Sequence, residues 1–136
     1  MRLLLDTNVV SELAKVEPNR RVTDWFSKLD QEGIYVSVIT LGEIRKGIEL
    51  LIEGSRRRQL TLWLERDLTD QFEGRILNID WRVADLWGSL SSKSKRTLPA
   101  VDGLIAATAL VHKLKLVTRN TKDFDYPGLS VINPWD

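Results

Sequence analysis

The chain has 136 residues, of which 43% are hydrophobic and 29% are charged, with a net charge of +1. These values predict a single domain over residues 1–136 and exclude a polycation that binds nucleic acid by overall charge alone. The sequence has no cysteine and one histidine, which excludes disulfides, thiolate chemistry and zinc sites with several imidazoles. No apolar run is long enough for a membrane span or a signal peptide, so we expect a cytoplasmic protein.

Short apolar segments alternate with amphipathic segments along the chain. Strands are predicted at residues 2–5, 34–39, 75–79, 114–118 and 129–132. Helices are predicted at residues 8–15, 20–29, 41–52, 56–72, 81–90 and 100–113. This alternation predicts an α/β sandwich with a mostly parallel sheet of four to five strands.

Acidic residues are predicted to gather at one edge of this sheet. Asp6 ends the first strand, Glu43 and Asp102 lie in the first turns of two helices, and Asn120 and Asp123 follow the fourth strand. The carboxyl ends of parallel strands and the amino ends of their connecting helices share one edge. Carboxylates held together there would repel one another unless they shared a cation, and oxygen ligands suit Mg²⁺ or Mn²⁺. The pattern therefore indicates a metal site.

Each residue taken alone also has a purely structural interpretation. Asp6 could cap the first helix, Glu43 could stabilise a helix dipole, and Asp123 could belong to a turn. Asp102 is harder to explain in this way, because it interrupts an apolar helix and would be costly to bury. Gly47, one turn after Glu43, would leave open space beside that carboxylate.

Four segments carry a resemblance to a known family. LDTNVVSE (5–12), TLGEIRKG (40–47), VDGLIAA (101–107) and LVTRNTKDF (116–124) resemble, in this order, the four motifs of PIN domains. The chain is most similar to VapC-type toxins of type II toxin–antitoxin systems, in the FitB-like branch. The resemblance implies a PIN-like three-layer α/β/α sandwich, a homodimer, and a cognate antitoxin that neutralises the toxin and carries any contact with DNA.

The resemblance also implies a magnesium-dependent endoribonuclease, with Mn²⁺ as a plausible substitute. Its catalytic and metal-binding residues would be Asp6, Glu43, Asp102 and Asp123. Asn120 stands where many PIN domains have a fourth acid, so we assign that role to Asp123 and a supporting role to Asn120. If neither reaches the ion, three carboxylates remain and one metal is favoured over two.

The mechanism that we expect is hydrolysis of an RNA phosphodiester by metal-activated water, leaving a 5′-phosphate and a 3′-hydroxyl. Asp6 and Asp102 would bind the metal directly, while Glu43 and Asp123 would bind a second ion or orient the water. Two ions would lie about 3.5–4 Å apart.

Further residues have supporting roles in this hypothesis. Thr7 and Thr118 could hydrogen-bond a ligand carboxylate or a water. Flanking RNA phosphates could bind basic residues near the acidic motifs, namely Arg45, Lys46, Arg96 and Arg119. We interpret three tryptophans as residues of the core or of a dimer interface: Trp25, Trp63 and Trp87.

Two other functions stay open at this point. One is a magnesium-dependent phosphatase or phosphoacceptor domain in which Asp6 takes a phosphoryl group, detectable as an acid-labile adduct. The other is a non-catalytic PIN-like binding module, whose melting temperature would not respond to Mg²⁺ or Mn²⁺.

Overall fold

The protein is described by a computed structural model over residues 1–94 and 99–136. These described residues contain five strands: β1 (Leu3–Leu5), β2 (Ile34–Ser37), β3 (Ile76–Leu77), β4 (Lys115–Val117) and β5 (Val131–Ile132). They form one sheet in the order β3-β2-β1-β4-β5, and every neighbouring pair is parallel. The predicted parallel sheet is therefore confirmed, with β1 at its centre.

Helices occupy most of the remaining described chain. They are α1 (Thr7–Leu13), α2 (Arg20–Ser27), α3 (Val38–Glu49), α4 (Ser55–Leu62), α5 (Thr69–Gln71), α6 (Trp81–Lys93) and α7 (Ala100–Val111). A π-helical segment, Trp63–Leu68, joins α4 to α5, and short 3₁₀ helices form at Gln31–Gly33 and Thr121–Phe124. In the described part of the chain, no helix has both the length and the apolar character needed to span a bilayer.

Two hydrophobic cores lie on opposite faces of the sheet. Side chains alternate along a strand, so Leu3 and Leu5 enter one core and Leu4 enters the other. The first core also contains residues of α1, α3 and the π-helical segment, and Trp25 and Trp63 pack against it. The second core combines residues of α7 with residues of β4 and of the segment that follows β4. The predicted α/β/α layering is confirmed.

The boundary between β2 and α3 differs from the prediction. The β-branched residues Val38 and Ile39 favour a strand, but the Ser37 hydroxyl accepts a hydrogen bond from the Ile39 N–H at 3.1 Å. This cap starts α3 at Val38, three residues earlier than predicted. The predicted end of this helix at residue 52 is wrong, because α3 ends at Glu49, and Ile52 is 90% exposed.

A close contact joins α6 to the first turn of α7. A Cβ atom placed on Gly103 would lie 2.8 Å from Cδ1 and 2.9 Å from Nε1 of Trp87. Because glycine has no Cβ, the indole can lie directly against the helix turn that carries Asp102. Gly103 therefore helps to set the position of Asp102.

We predict that Gly103→Ala lowers the free energy of unfolding by about 1–3 kcal/mol, because the added methyl group overpacks the contact with Trp87. Urea denaturation would measure the change. Gly88→Ala is the matched control, since an added Cβ on that α6 residue meets no atom within 4 Å. It should be neutral or stabilising by up to about 1 kcal/mol. Equal stabilities for the two variants would contradict the prediction.

Candidate active site

The Asp6 side chain is fixed between the ends of β1 and β4. Its backbone N–H donates to the Val117 carbonyl oxygen at 2.8 Å. Its carboxylate accepts hydrogen bonds from the Thr7 N–H at Oδ1 (2.8 Å) and from the Thr118 hydroxyl at Oδ2 (2.7 Å). Asp6 is only 5% exposed. The carboxylate therefore has a defined orientation toward the carboxyl edge of the sheet.

The Thr118 hydroxyl group has no remaining hydrogen-bonding capacity. Its Oγ1 accepts from the Asn8 Nδ2 at 3.3 Å and from the Asn120 N–H at 3.1 Å. A hydroxyl has one proton and two lone pairs, so the proton must point to Asp6. The Thr118 hydroxyl therefore donates to the Asp6 carboxylate, and its supporting role in binding a ligand stays a prediction.

Thr7 connects Asp6 to Glu43. Its backbone N–H binds Asp6, and its hydroxyl donates to Oε1 of Glu43 at 2.6 Å. Thr40 lies beside this contact, with its Oγ1 3.2 Å from that of Thr7. No atom lies within 4 Å of where a Cβ of Gly47 would stand, so the open space predicted there is present. The two carboxylates are thus held in one hydrogen-bonded unit.

Asp102 is electrostatically coupled to this unit. Burial, followed by the negative charges of Asp6, Asp123 and Glu43, raises the Asp102 pKa from 3.8 to about 6. Burial is also the main cause that raises the Asp6 pKa, and the hydrogen bond from Thr118 partly opposes it. The four predicted carboxylates therefore act on one another.

A cavity of about 440 Å³ opens over Asp6, Glu43 and Asp102, and we call it the acidic cavity. Asn120 also lines it. Asp123 is exposed and is not part of the lining, although its charge raises the pKa values of Asp6 and Asp102. The assignment of the fourth carboxylate role to Asp123 stays a prediction.

The donor set fits a hydrated divalent cation better than an all-protein cage. Within residues 1–94 and 99–136, no group of three or more acidic, histidine or cysteine side chains is arranged to hold a metal ion. Mg²⁺ usually keeps several waters and is bound by one or two carboxylates. The oxygen atoms of Asp6 and Asp102 on the wall of the acidic cavity suit that mode.

The basic residues predicted to bind RNA have different surroundings. Arg45 is ion-paired with Glu65, with Nη2 and Oε1 2.8 Å apart, whereas Lys46 is exposed. Arg119 lines the acidic cavity. Arg96 lies outside the described residues. Their roles in binding RNA stay predictions.

Sequence reasoning missed five residues that line the acidic cavity: Asn8, Ser11, Glu12, Lys15 and Trp135. Glu12 is 5% exposed and accepts hydrogen bonds from Lys15 Nζ (2.9 Å) and the Asn19 N–H (2.9 Å). The Lys15 hydrogen bond is the main cause that lowers the pKa of Glu12. An acidic residue on a surface helix is usually exposed, so its sequence context gave no signal of this burial.

We predict that Asp102→Asn stabilises the metal-free protein at neutral pH. The folded-state pKa of Asp102 lies above its ordinary value of 3.8, so its ionisation opposes folding. That penalty is absent below about pH 4 and complete above about pH 6. Because the side chain is half-buried, solvent screens part of the effect, and we expect Tm at pH 7.5 in EDTA to rise by about 2–4 °C.

Thermal melts at pH 7.5 and pH 4.5 would test this prediction. The difference in Tm between Asp102→Asn and the parent protein should be smaller at pH 4.5. The exposed Asp85 of α6 provides the control Asp85→Asn, for which Tm should stay the same at both pH values. A lower Tm for Asp102→Asn at pH 7.5 would contradict the electrostatic argument.

The chain is similar to known proteins over nearly its full length. Residues 3–128 match the family model of the PIN domain. The toxin FitB of Neisseria gonorrhoeae is 41% identical over 136 residues, with 98% of each chain covered. The VapC ribonuclease Y4jK of Sinorhizobium fredii is 37% identical over 137 residues, again with 98% of each chain covered.

A solved structure of FitAB bound to an IR36 DNA fragment contains a similar chain. It has a TM-score of 0.89 and 39% identity, and the match covers 98% of this chain and 96% of that chain. The family model spans most of the sequence, including all four carboxylates that line the acidic cavity. The chain therefore belongs to the PIN-domain family.

Proposed function

We propose that this chain is the toxin of a toxin–antitoxin pair and acts as a metal-dependent endoribonuclease at the acidic cavity. The observation that carries the proposal is the convergence of Asp6, Glu43 and Asp102 on one cavity, where their charges oppose one another. The relatives named as a toxin and as a VapC ribonuclease support the role and the substrate class. They favour this function over the phosphatase alternative.

We propose Mg²⁺ as the cation, with Mn²⁺ as a possible substitute. Asp6 and Asp102 would hold it, and Glu43 and Asp123 would hold a second ion or orient the attacking water. When bound, the cation would neutralise negative charge at the scissile phosphate and acidify a water molecule. Its positive charge would also offset the repulsion that raises the pKa of Asp102.

The protein residues would orient the reactants. The Thr7 N–H and the Thr118 hydroxyl each donate a hydrogen bond to one oxygen of the Asp6 carboxylate. These two bonds fix the direction of the remaining lone pairs. Thr7 occupies Oε1 of Glu43, so Oε2 would accept a hydrogen bond from the attacking water. Attack by water in line with the leaving 3′-oxygen would give a 5′-phosphate and a 3′-hydroxyl.

A partner protein completes the proposal. The related FitAB assembly is bound to a DNA fragment, which supports a cognate antitoxin that carries the contact with DNA. We also propose that the toxin forms a homodimer. Co-expression with the product of an adjacent reading frame would test the partner, because the antitoxin should co-purify and suppress RNA cleavage. A cytoplasmic location stays a prediction.

We predict that Asp102→Asn lowers Mg²⁺-dependent cleavage of single-stranded RNA by at least about a hundredfold. The substitution removes a charged ligand of the cation that would stabilise the transition state. Expression of the variant should also lose toxicity. Cleavage of a randomised RNA pool, with sequencing of the product ends, would measure both rate and chemistry.

The control for this experiment is Asp67→Asn, which changes an exposed aspartate of the π-helical segment and should keep full activity. Thermal melts would establish that both variants are folded. Metal-dependent cleavage retained by Asp102→Asn would overturn the assignment of the site.

We predict that Asp123→Asn raises the Mg²⁺ concentration for half-maximal cleavage by about tenfold, or about 1.4 kcal/mol. It removes a negative charge that acts on Asp6 and Asp102, whereas Asn120→Ala removes only a neutral group. Asn120→Ala should therefore change the requirement by less than about twofold. The opposite order of effects would assign the fourth site position to Asn120.

A further inference from the structure

Arg119 lines the acidic cavity and is held there by three separate contacts. Its backbone N–H donates to Oδ1 of Asn8 at 3.3 Å, and its carbonyl oxygen accepts from Nδ2 of Asn133 at 3.4 Å. Its guanidinium carbon lies 5.2 Å from the centroid of the Trp135 ring. Contacts from α1 and from the segment after β5 therefore fix both its backbone and its side chain.

Trp135 is itself anchored. Its backbone N–H donates to Oδ1 of Asn133 at 2.9 Å, so the same asparagine binds both Arg119 and Trp135. The indole also packs against the hydrophobic core that contains Leu3 and Leu5. The ring is thus a rigid support on which the guanidinium rests through a cation–π contact.

The Arg119 guanidinium keeps its hydrogen-bond donors available. Across residues 1–94 and 99–136, no carboxylate oxygen lies within 4.0 Å of its nitrogens, whereas Arg45 and Arg57 form ion pairs with glutamates. Lys15, the other cation that lines the cavity, is paired with Glu12 at 2.9 Å. Arg119 is therefore the cavity-lining cation without an ion pair to a carboxylate in the described part of the chain, although its charge helps to lower the pKa of Glu12.

An uncommitted guanidinium beside several carboxylates favours an anionic ligand. The acidic cavity repels an RNA backbone, and the proposed cation would offset this repulsion only at the scissile phosphate. A neighbouring phosphate therefore needs a positive group from the protein. The planar guanidinium can bind two phosphate oxygens at once, with charge-assisted hydrogen bonds. Because Trp135 already restricts its motion, less conformational entropy is lost when the phosphate binds.

We propose that Arg119 binds the phosphate next to the scissile phosphate of a single-stranded RNA, and that Trp135 is a positioning residue that acts through Arg119. The inference rests on the proposed nuclease function and adds a phosphate subsite to it. Arg119 touches the substrate and sets its register on the acidic cavity. Trp135 contributes only by orienting the guanidinium.

Binding of RNA can be measured without hydrolysis in an Asp102→Asn background. The probe is a fluorescein-labelled single-stranded RNA of randomised sequence, followed by anisotropy over a range of salt concentrations. Arg119→Ala should weaken binding by about tenfold and reduce the slope of log K against log salt by about 0.7, as expected for one lost phosphate contact. Arg119→Lys should recover part of the affinity and the slope, because it keeps the charge.

Arg66→Ala is the matched control. Arg66 is an exposed arginine of the π-helical segment and does not line the acidic cavity. Its removal should leave both the affinity and the salt slope unchanged. An equal effect of Arg66→Ala and Arg119→Ala would overturn the subsite, since it would indicate binding by overall charge alone.

A double-mutant cycle tests the role of Trp135. Trp135→Leu should weaken binding by about threefold when Arg119 is present and should have no further effect in the Arg119→Ala background. Trp135→Phe keeps an aromatic face and should bind nearly as well as the parent. Additive effects of Trp135→Leu and Arg119→Ala would overturn the positioning role, and a change in Tm alone would indicate a purely structural one.

Cleavage by proteins that retain Asp102 separates this inference from the proposed function. Arg119→Ala should raise KM for the RNA by about tenfold and change kcat by less than about twofold. RNA binding and KM that do not respond to Arg119→Ala would overturn the subsite while the nuclease stands. Absence of metal-dependent cleavage by the unmodified protein, or of RNA binding by its Asp102→Asn form, would overturn the subsite together with the nuclease.

Discussion

Repulsion between carboxylates that share one cavity is the constraint on which the site depends. Burial and neighbouring negative charge raise the pKa values of Asp6 and Asp102, so the metal-free fold holds these groups at an energetic cost. Hydrogen bonds from Thr7 and Thr118 offset part of that cost at Asp6. A divalent cation would offset much of the rest, which links this electrostatic cost to the proposed chemistry.

The parallel sheet brings these groups together because adjacent strands end at the same edge. Asp6 follows β1, α3 with Glu43 follows β2, and Thr118 follows β4. Since β1 pairs with both β2 and β4, residues from three distant parts of the chain become neighbours. Asp102 enters from the helix that precedes β4. The site is thus a consequence of strand order as much as of the acidic residues themselves.

Local patterns in the sequence were sufficient to predict the strand–helix alternation and three of the four carboxylates that line the acidic cavity, with Glu12 missed. Asp102 gave the clearest signal, because an acid within an apolar helix needs compensation. Tertiary contacts decided what the patterns could not predict. The ion pair of Arg45 with Glu65 joins different helical segments, and Trp135 meets the cavity only after β5 has docked on β4. At Val38, the helix-capping hydrogen bond to Ser37 outweighs the preference of the β-branched side chains for a strand.

The pairing of β1 with β4 has a consequence for biosynthesis. The hydrogen bond from Thr118 to Asp6 joins residues 112 positions apart, so the ribosome must synthesise nearly the whole domain before that bond can form. At about 5–20 residues per second, this separation corresponds to about 6–20 s of translation. During that interval the nascent chain carries Asp6 but not Thr118, so the centre is not assembled. The strand order therefore delays any cleavage activity until after most of the polypeptide has left the ribosomal tunnel.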